Sequence, residues 1–220
     1  MRLLYHGSNH IIESPVYGGG SSGNDYGQGF YCTENTDLAK EWACLSRNGG
    51  FINTYNFDEE GLQITNLSSA EFNVLNWMAI LLKNREIRLS SAIEESGKDY
   101  IIEHYMPDIN GSDIIIGYRA DDSFFSFSRA FLRNTISYQQ LQQVLKLGDL
   151  GLQYVLVSER AFERIHFLNA EAVDGEVYYP KRAQRDLKAR DDYRALVRSI
   201  DRNGVFLSQI IGEEMPVERL

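Results

Sequence analysis

Leu4-Tyr5-His6-Gly7-Ser8 is the stretch on which the reading of this chain turns. Leu3 to Tyr5 is a short apolar run that breaks abruptly at His6, so a strand is expected whose end carries an imidazole, a bare backbone and a hydroxyl in succession. All three are groups that hold polar ligands. The imidazole donates or accepts a hydrogen bond, Gly7 offers N–H and C=O with no side chain in the way, and Ser8 does both. A lone histidine is more often a satisfied core group, so the weight falls on what accompanies it.

Two distant segments have the same character, an odd polar residue on or beside an apolar strand. The first is Tyr26-Gly27-Gln28-Gly29-Phe30-Tyr31-Cys32-Thr33; the second is Leu152-Gln153-Tyr154-Val155-Leu156-Val157. Tyr17 to Gly29 holds six of the eighteen glycines. That density costs too much backbone entropy for a regular element, so a mobile loop is expected, and long loops of this kind serve as lids or ligand clamps. Phe30 to Thr33 reads as a strand. Asn35 and Thr36 then cap a helix with Leu38, Trp42 and Leu45 at helical spacing, which brings Tyr31 and Trp42 within reach of each other. Plain core packing explains both aromatics equally well at this level.

Elsewhere the pattern alternates between strands and helices. Residues 53–57 and 62–67 read as strands around a turn, and Ser68-x-x-Glu71 as a capping box for a helix with Phe72, Leu75, Met78 and Leu82 on one face. A helical region follows at 89–106, then a buried strand at 113–117. Asp121-Asp122 reads as a turn or cap. Ser137-x-x-Gln140 caps a helix carrying Leu141, Val144 and Leu145, with Gly148 as its stop. Ser158 opens a short helix, 167–173 and 177–179 read as strands, and a charged helix follows from 181. The economical architecture is one α+β domain over 1–180 with a helical appendage over 181–220.

Twenty-two Lys and Arg against thirty-one Asp and Glu give a net charge of −9 on 220 residues, with 43% hydrophobic and 24% charged residues. This excludes whole-chain disorder, and no run is apolar enough to span a bilayer. An acidic surface repels a polyanion, so nucleic acid is disfavoured as a partner. Lys181 to Arg198 is locally basic, but Asp186, Asp191 and Asp192 interrupt it at helical spacing, the mark of a solvated face with internal ion pairs. Only Cys32 and Cys44 are present. With no secretory h-region after Arg2, a reduced, cytoplasmic protein is expected.

Several chemistries are disfavoured by what is missing. There is no C-x-x-C pair and no H-E-x-x-H, so no metal site is expected; a P-loop is also absent, and no G-x-G-x-x-G stands between a strand and a helix of a βαβ unit, which disfavours a dinucleotide-binding Rossmann site. His10, His104 and His166 have no companion motif.

Taken together, His6-Gly7-Ser8, Gly27-Gln28-Gly29-Phe30-Tyr31 and Gln153-Tyr154-Val155-Leu156-Val157 resemble, in order, the three motifs of the ADP-ribosyltransferase superfamily. The resemblance is to the branch that includes diphtheria toxin and the poly(ADP-ribose) polymerases. Within it the chain looks most like a bacterial family of unknown function that often occurs in toxin–antitoxin-like gene pairs, whose D-I-V-x-G-x-x-A-D-D segment has a counterpart in residues 113–122. The resemblance implies two small antiparallel sheets around an NAD cleft. It also implies mono-ADP-ribosyl transfer from NAD, as co-substrate, to an unidentified acceptor, with a toxin role and an antitoxin protein as partner.

Residue roles follow from the same resemblance. His6 would hold a ribose hydroxyl, Gly7 the nicotinamide carboxamide, and Ser8 the co-substrate as well. Tyr31 and Trp42 would sandwich the pyridinium, each gaining about 1–2 kcal/mol of cation–π energy when desolvated. Gln153 would orient the reacting ribose. It is also the departure: polymerising members carry Glu there, and glutamine accepts the same hydrogen bond without bringing charge, which weakens stabilisation of a cationic transition state. Chain elongation is not expected. Single transfer, NAD hydrolysis, and a binding module without turnover stay open. Glu159 stands six residues on, but just after an N-cap it reads as a first-turn helix charge.

Overall fold

The computed structural model describes residues 1–120, 122–144, 151–199 and 201–220. In chain order the strands are β1 (Arg2–Ser8), β2 (Phe30–Cys32), β3 (Gly50–Phe57), β4 (Ile64–Asn66), β5 (Ile114–Tyr118), β6 (Leu152–Leu156) and β7 (Ile165–Val173). The helices are α1 (Thr36–Ala43), α2 (Val74–Asn84), α3 (Ala92–Tyr105), α4 (Asp122–Leu132), α5 (Tyr138–Val144), α6 (Glu159–Phe162), α7 (Gly175–Arg198) and α8 (Leu207–Gly212). Asp121, Leu145 and Gly148, read above as turn, helix face and stop, lie outside the described residues.

The chain divides into two compact units, one of Met1–Asn66, Ile109–Arg119 and Leu150–Arg185, the other of Leu67–Asp108, Ala120–Asp149 and Asp186–Leu220. All the strands fall in the first. They form a three-stranded sheet in the order β1-β3-β7 and a four-stranded sheet in the order β2-β6-β5-β4. The three-stranded sheet is antiparallel throughout, as expected. The four-stranded sheet is mixed, because β4 runs parallel to β5. That corrects the expectation of two antiparallel sheets, and its cause is the connection between these strands: it passes through α2 and α3, long enough to return the chain in the same direction.

β1 does not break at His6. His6, Gly7 and Ser8 stay in register opposite Asn53, Ile52 and Phe51. Alternation along the strand sends Leu4 and His6 to one face, Tyr5 and Gly7 to the other. Leu4 joins a core with Phe30, Cys32, Tyr55, Phe57, Ile114, Ile116, Tyr154 and Leu156. Those residues of β2, β5 and β6 share one face of the four-stranded sheet, so Tyr31, Ile115, Gly117, Gln153 and Val155 share the other.

α1 forms where the sequence indicates, with the Asn35 side chain accepting from the Leu38 N–H at 3.0 Å. It ends at Ala43, so Leu45 lies beyond it and is exposed. Ala39 and Ala43 pack with Ile52 and Val173 on the Tyr5 side of the three-stranded sheet. The contact is close: a Cβ on Gly7 would stand 2.0 Å from the Ala39 carbonyl oxygen and 2.6 Å from the Ala43 nitrogen.

Three local expectations are corrected. The helix after β4 starts at Val74 rather than after Ser68, because Asn73 and Asn76 form the reciprocal capping box. α2 is buried over Val74–Leu82, on every side rather than on one face. Val177 to Tyr179 is helical, not extended: the Asp174 carboxylate takes the Glu176 N–H at 2.8 Å, and its carbonyl takes those of Val177 and Tyr178, capping α7. By contrast Ser137 and Gln140 cap α5 reciprocally, at 3.0 and 3.1 Å, as the spacing implies.

The second unit is helical. Trp77 of α2 meets Phe124 of α4 edge-on with ring centres 4.2 Å apart, and Asn76 Nδ2 donates to the Tyr105 carbonyl at 2.9 Å. Arg133 pairs with the buried Glu94 of α3. No helix among the described residues is long and apolar enough to cross a membrane.

Candidate functional site

His6 is positioned by its strand and fixed by its neighbour. Its ring stacks on Phe30 with centroids 4.5 Å apart, and its Nδ1 lies 2.7 Å from the Tyr31 carbonyl oxygen. A carbonyl only accepts, so Nδ1 carries the proton and, in the neutral ring, Nε2 is left with its lone pair. Burial lowers the imidazole pKa below its usual value; the bond to Tyr31 opposes this, and His10 adds to the lowering. At neutral pH His6 is therefore an uncharged acceptor of hydrogen bonds through Nε2.

Gly7 presents its backbone on the side of β1 away from β3. Tyr5 N–H and C=O both pair with Thr33, at 2.8 and 2.9 Å, on the side of β1 away from β3. In an antiparallel ladder alternate residues point their backbone groups the same way, so the N–H and C=O of Gly7 face outward too, one residue pair beyond Thr33. Ser8 is committed differently. Its hydroxyl donates to the His10 carbonyl at 2.5 Å and accepts from the buried Asn53 at 3.0 Å.

Tyr31 sits on β2 opposite Val155 of β6, which makes Gln153, two residues back on the same face, its diagonal neighbour. Between them lies the end of the glycine-rich segment. The Tyr31 hydroxyl donates to the Gly27 carbonyl at 2.7 Å and accepts from the Tyr26 N–H at 3.1 Å. The Tyr26 hydroxyl donates to the Tyr118 carbonyl at 2.6 Å, and Gly27 adopts φ +77°, a left-handed turn closed by its N–H on Asn24. Gln28 Nε2 donates to the carbonyls of Gly18 and Gly20, at 2.6 and 3.1 Å. The segment, expected as a mobile loop, is hydrogen-bonded to Tyr31 at its C-terminal end and folded back on itself through Gln28.

That anchoring delivers a carboxylate. Gln153 Nε2 donates to Asp25 Oδ2 at 3.1 Å and reaches toward the Tyr118 carbonyl at 3.5 Å. Both side chains are buried, at 5% and 7% exposure. Since carboxylate and carbonyl only accept, the amide nitrogen must face them, which fixes which end of the amide is which. Glu159 is the exposed first residue of α6, a helix-turn charge as its position implies.

Trp42 enters from α1. The Arg119 guanidinium lies over its ring, 4.9 Å from the centroid, so one face of the indole already holds a cation. The Trp42 Nε1–H is buried without a hydrogen-bond partner among the described residues. Arg119 follows Tyr118, whose carbonyl takes the hydroxyl of Tyr26. The structure thus links His6, Tyr31, Gln153 and Trp42 in one web within the first unit, with Asp25, Tyr26 and Arg119 as its connectors. Ser8 turns away to Asn53. Sequence reading missed Asp25, since nothing in the chain marks a loop aspartate as the partner of a residue so distant.

Among the described residues no group of three or more His, Cys, Asp or Glu is placed to hold a metal ion. What the web can do is accept a hydrogen bond at a neutral imidazole, offer a backbone donor and acceptor at a strand edge, and place a buried carboxyl group beside an amide. No curated protein and no solved structure matches the chain. A family model described as a protein of unknown function, DUF3990, matches residues 2–167, a span that contains every residue of the web. The chain belongs to the DUF3990 family.

Proposed function

We propose that this protein binds NAD at the web around His6, Tyr31 and Gln153 and transfers a single ADP-ribose to an acceptor, releasing nicotinamide. One observation carries the reading: of three motifs that resemble those of ADP-ribosyltransferases in sequence, the first is hydrogen-bonded to the second from His6 to the Tyr31 carbonyl, and the second is linked to the third through residues 25–27. In this reading the Nε2 lone pair of His6 accepts from a ribose hydroxyl, and the outward N–H and C=O of Gly7 suit a carboxamide, which has one donor group and one acceptor. Gln153 orients the reacting ribose. Trp42 bears on the ligand through its indole N–H, which has no hydrogen-bond partner among the described residues, and through Arg119, a cation suited to a pyrophosphate. Arg119 lies over one face of the indole, so a pyridinium stacked between Tyr31 and Trp42 would meet the other face.

The chemistry balances without a metal or redox partner. The bond from C1′ to the pyridinium nitrogen breaks, and its electron pair leaves on nicotinamide as a neutral ring. An acceptor nucleophile forms the new bond at C1′ and sheds its proton. The direct test is mass spectrometry of lysate and purified protein incubated with NAD. Adducts of ADP-ribose or free nicotinamide are expected; neither product, together with no NAD-dependent rise in Tm, contradicts the proposal.

A second reading is a binding module without turnover. It is favoured by Gln153 standing where Glu would carry charge. It predicts equal Tm shifts with NAD and ADP-ribose and no nicotinamide release.

A further inference from the structure

The glutamine at 153 poses a problem for the reading above, and the glycine-rich segment answers it. A carbon that becomes cationic as nicotinamide leaves is stabilised by a fixed negative charge in a water-poor site. Gln153 has none. The buried carboxylate hydrogen-bonded to its amide is Asp25, 3.1 Å from Nε2.

We infer that Asp25 and Gln153 divide between them the work of a single glutamate: Asp25 holds the negative charge and aims the amide, while Gln153 meets the ribose. The inference rests on the NAD reading. Asp25 binds the amide nitrogen, so the amide oxygen is the end left to accept from a ribose hydroxyl. The carboxylate is not adrift in a loop. The next residue, Tyr26, is pinned twice, through its N–H to the Tyr31 hydroxyl and through its own hydroxyl to the Tyr118 carbonyl. Gly27 is pinned by Tyr31 as well. Asp25 lies against Gln153 of β6, whose amide also reaches toward the Tyr118 carbonyl of β5. Asp25 transfers no proton. It stays ionised while the C1′–nitrogen bond breaks and the acceptor bond forms, and so acts as a positioning and charge-bearing residue rather than a nucleophile or base.

The same geometry makes a prediction about charge that is independent of NAD. A glutamate at 153 would stand against Asp25, and two carboxylates that close do not both ionise freely. One keeps a raised pKa in the folded state, so the fold is destabilised as pH rises through it.

The test uses the full chain as wild type, Asp25→Asn, Gln153→Glu and the double variant, with NAD as the probe. Nicotinamide release gives kcat and KM, and Tm is followed from pH 5 to 8. Asp25→Asn is expected to lower kcat by about 100-fold, the scale seen when one preorganised polar group is lost, with KM moving only a few-fold. Gln153→Glu is expected to lose Tm as pH rises. The double variant moves the charge from one residue to the other, so it is expected to flatten that pH dependence and to recover at least about tenfold in kcat over Asp25→Asn. Wild-type kcat in Asp25→Asn, or a double variant no better than the single, overturns the division of labour. A Gln153→Glu variant with a flat Tm profile overturns the charged carboxylate at 25, whatever NAD does. A wild type that neither releases nicotinamide nor gains Tm with NAD overturns the NAD reading, and the pH series still judges the charge.

Discussion

The Tyr26 hydroxyl occupies the space where a side chain on Gly117 would begin: a Cβ there would stand 2.1 Å from that oxygen and 2.9 Å from the ring carbon bearing it. Gly117 is therefore the seat of the residue that holds Asp25 against Gln153. Gly117→Ala is expected to push Tyr26 out, cost about 1–3 kcal/mol as an overpacked contact, and weaken the NAD-dependent Tm shift. Tyr26→Phe keeps the ring and loses the bond to the Tyr118 carbonyl, about 1 kcal/mol. Urea unfolding of both variants, with and without NAD, checks the order.

Gly7 answers to packing before it answers to a ligand. The atoms a Cβ would strike are backbone atoms of α1, which no rotamer change can move aside. Gly7→Ala should displace the helix and cost about 3 kcal/mol, at the upper end of overpacking. Lost activity in that variant would say nothing about the carboxamide unless its Tm, read beside it, were preserved.

His6 should be neutral at pH 7 with its proton on Nδ1. Because burial lowers its pKa in the fold, the stability it contributes is full above about pH 6.5 and is lost as pH falls through the folded pKa. Two-bond proton–nitrogen correlation spectra should show the Nδ1–H tautomer from pH 7 to 8; an Nε2–H ring there would remove the acceptor the site needs. Thermal melts in which His6→Phe loses the acid limb would confirm the linkage.

Both thiols should be silent. Cys32 and Cys44 are free and fully buried, and burial raises both pKa values, with Asp174 adding to the effect at Cys44. Iodoacetamide should label native protein at least about tenfold more slowly than protein unfolded in guanidinium, since thiolate character and access govern the rate. Equal rates would mean that β2 and α1 do not bury them.

In the helical unit, Arg133 holds the Glu94 carboxyl at about 2, assisted by Ser90. The sign is that of a depressed acid: its stabilisation is complete above the unfolded value near 4.5 and fades as pH falls toward 2. Glu94→Gln should lower Tm at pH 7 and flatten the dependence between pH 5 and 2. An unchanged acid limb would show that the pair contributes nothing.

How much of this was legible in the sequence depended on distance along the chain. Local rules served well where they were self-contained: Asn35, Ser137 with Gln140, and Ser158 each cap the helix their spacing announces. They misled where a nearer competitor existed, as Asn73 replaced Ser68. Val177 to Tyr179, before Pro180, invited an extended reading because the residue ahead of a proline disfavours helix, yet Asp174 caps the segment into α7. α4 went unread although Phe124, Phe127 and Phe131 stand at helical spacing. The three motif segments were visible as oddities, but the link from Asp25 to Gln153 spans 128 residues and leaves no local trace. The fate of Ser8, bound to Asn53, and of Trp42, lying under Arg119, was equally beyond local pattern.

The central claim is that the web around His6, Tyr31 and Gln153 handles NAD. Proton NMR of purified protein with NAD, following free nicotinamide over hours for wild type and for His6→Ala, addresses it most directly. The account predicts accumulation with wild type and at least a tenfold slower signal in a folded variant, the scale of about 1.4 kcal/mol for one lost hydrogen bond to the reacting sugar. Nicotinamide appearing at equal rates in both, or in neither, would contradict it.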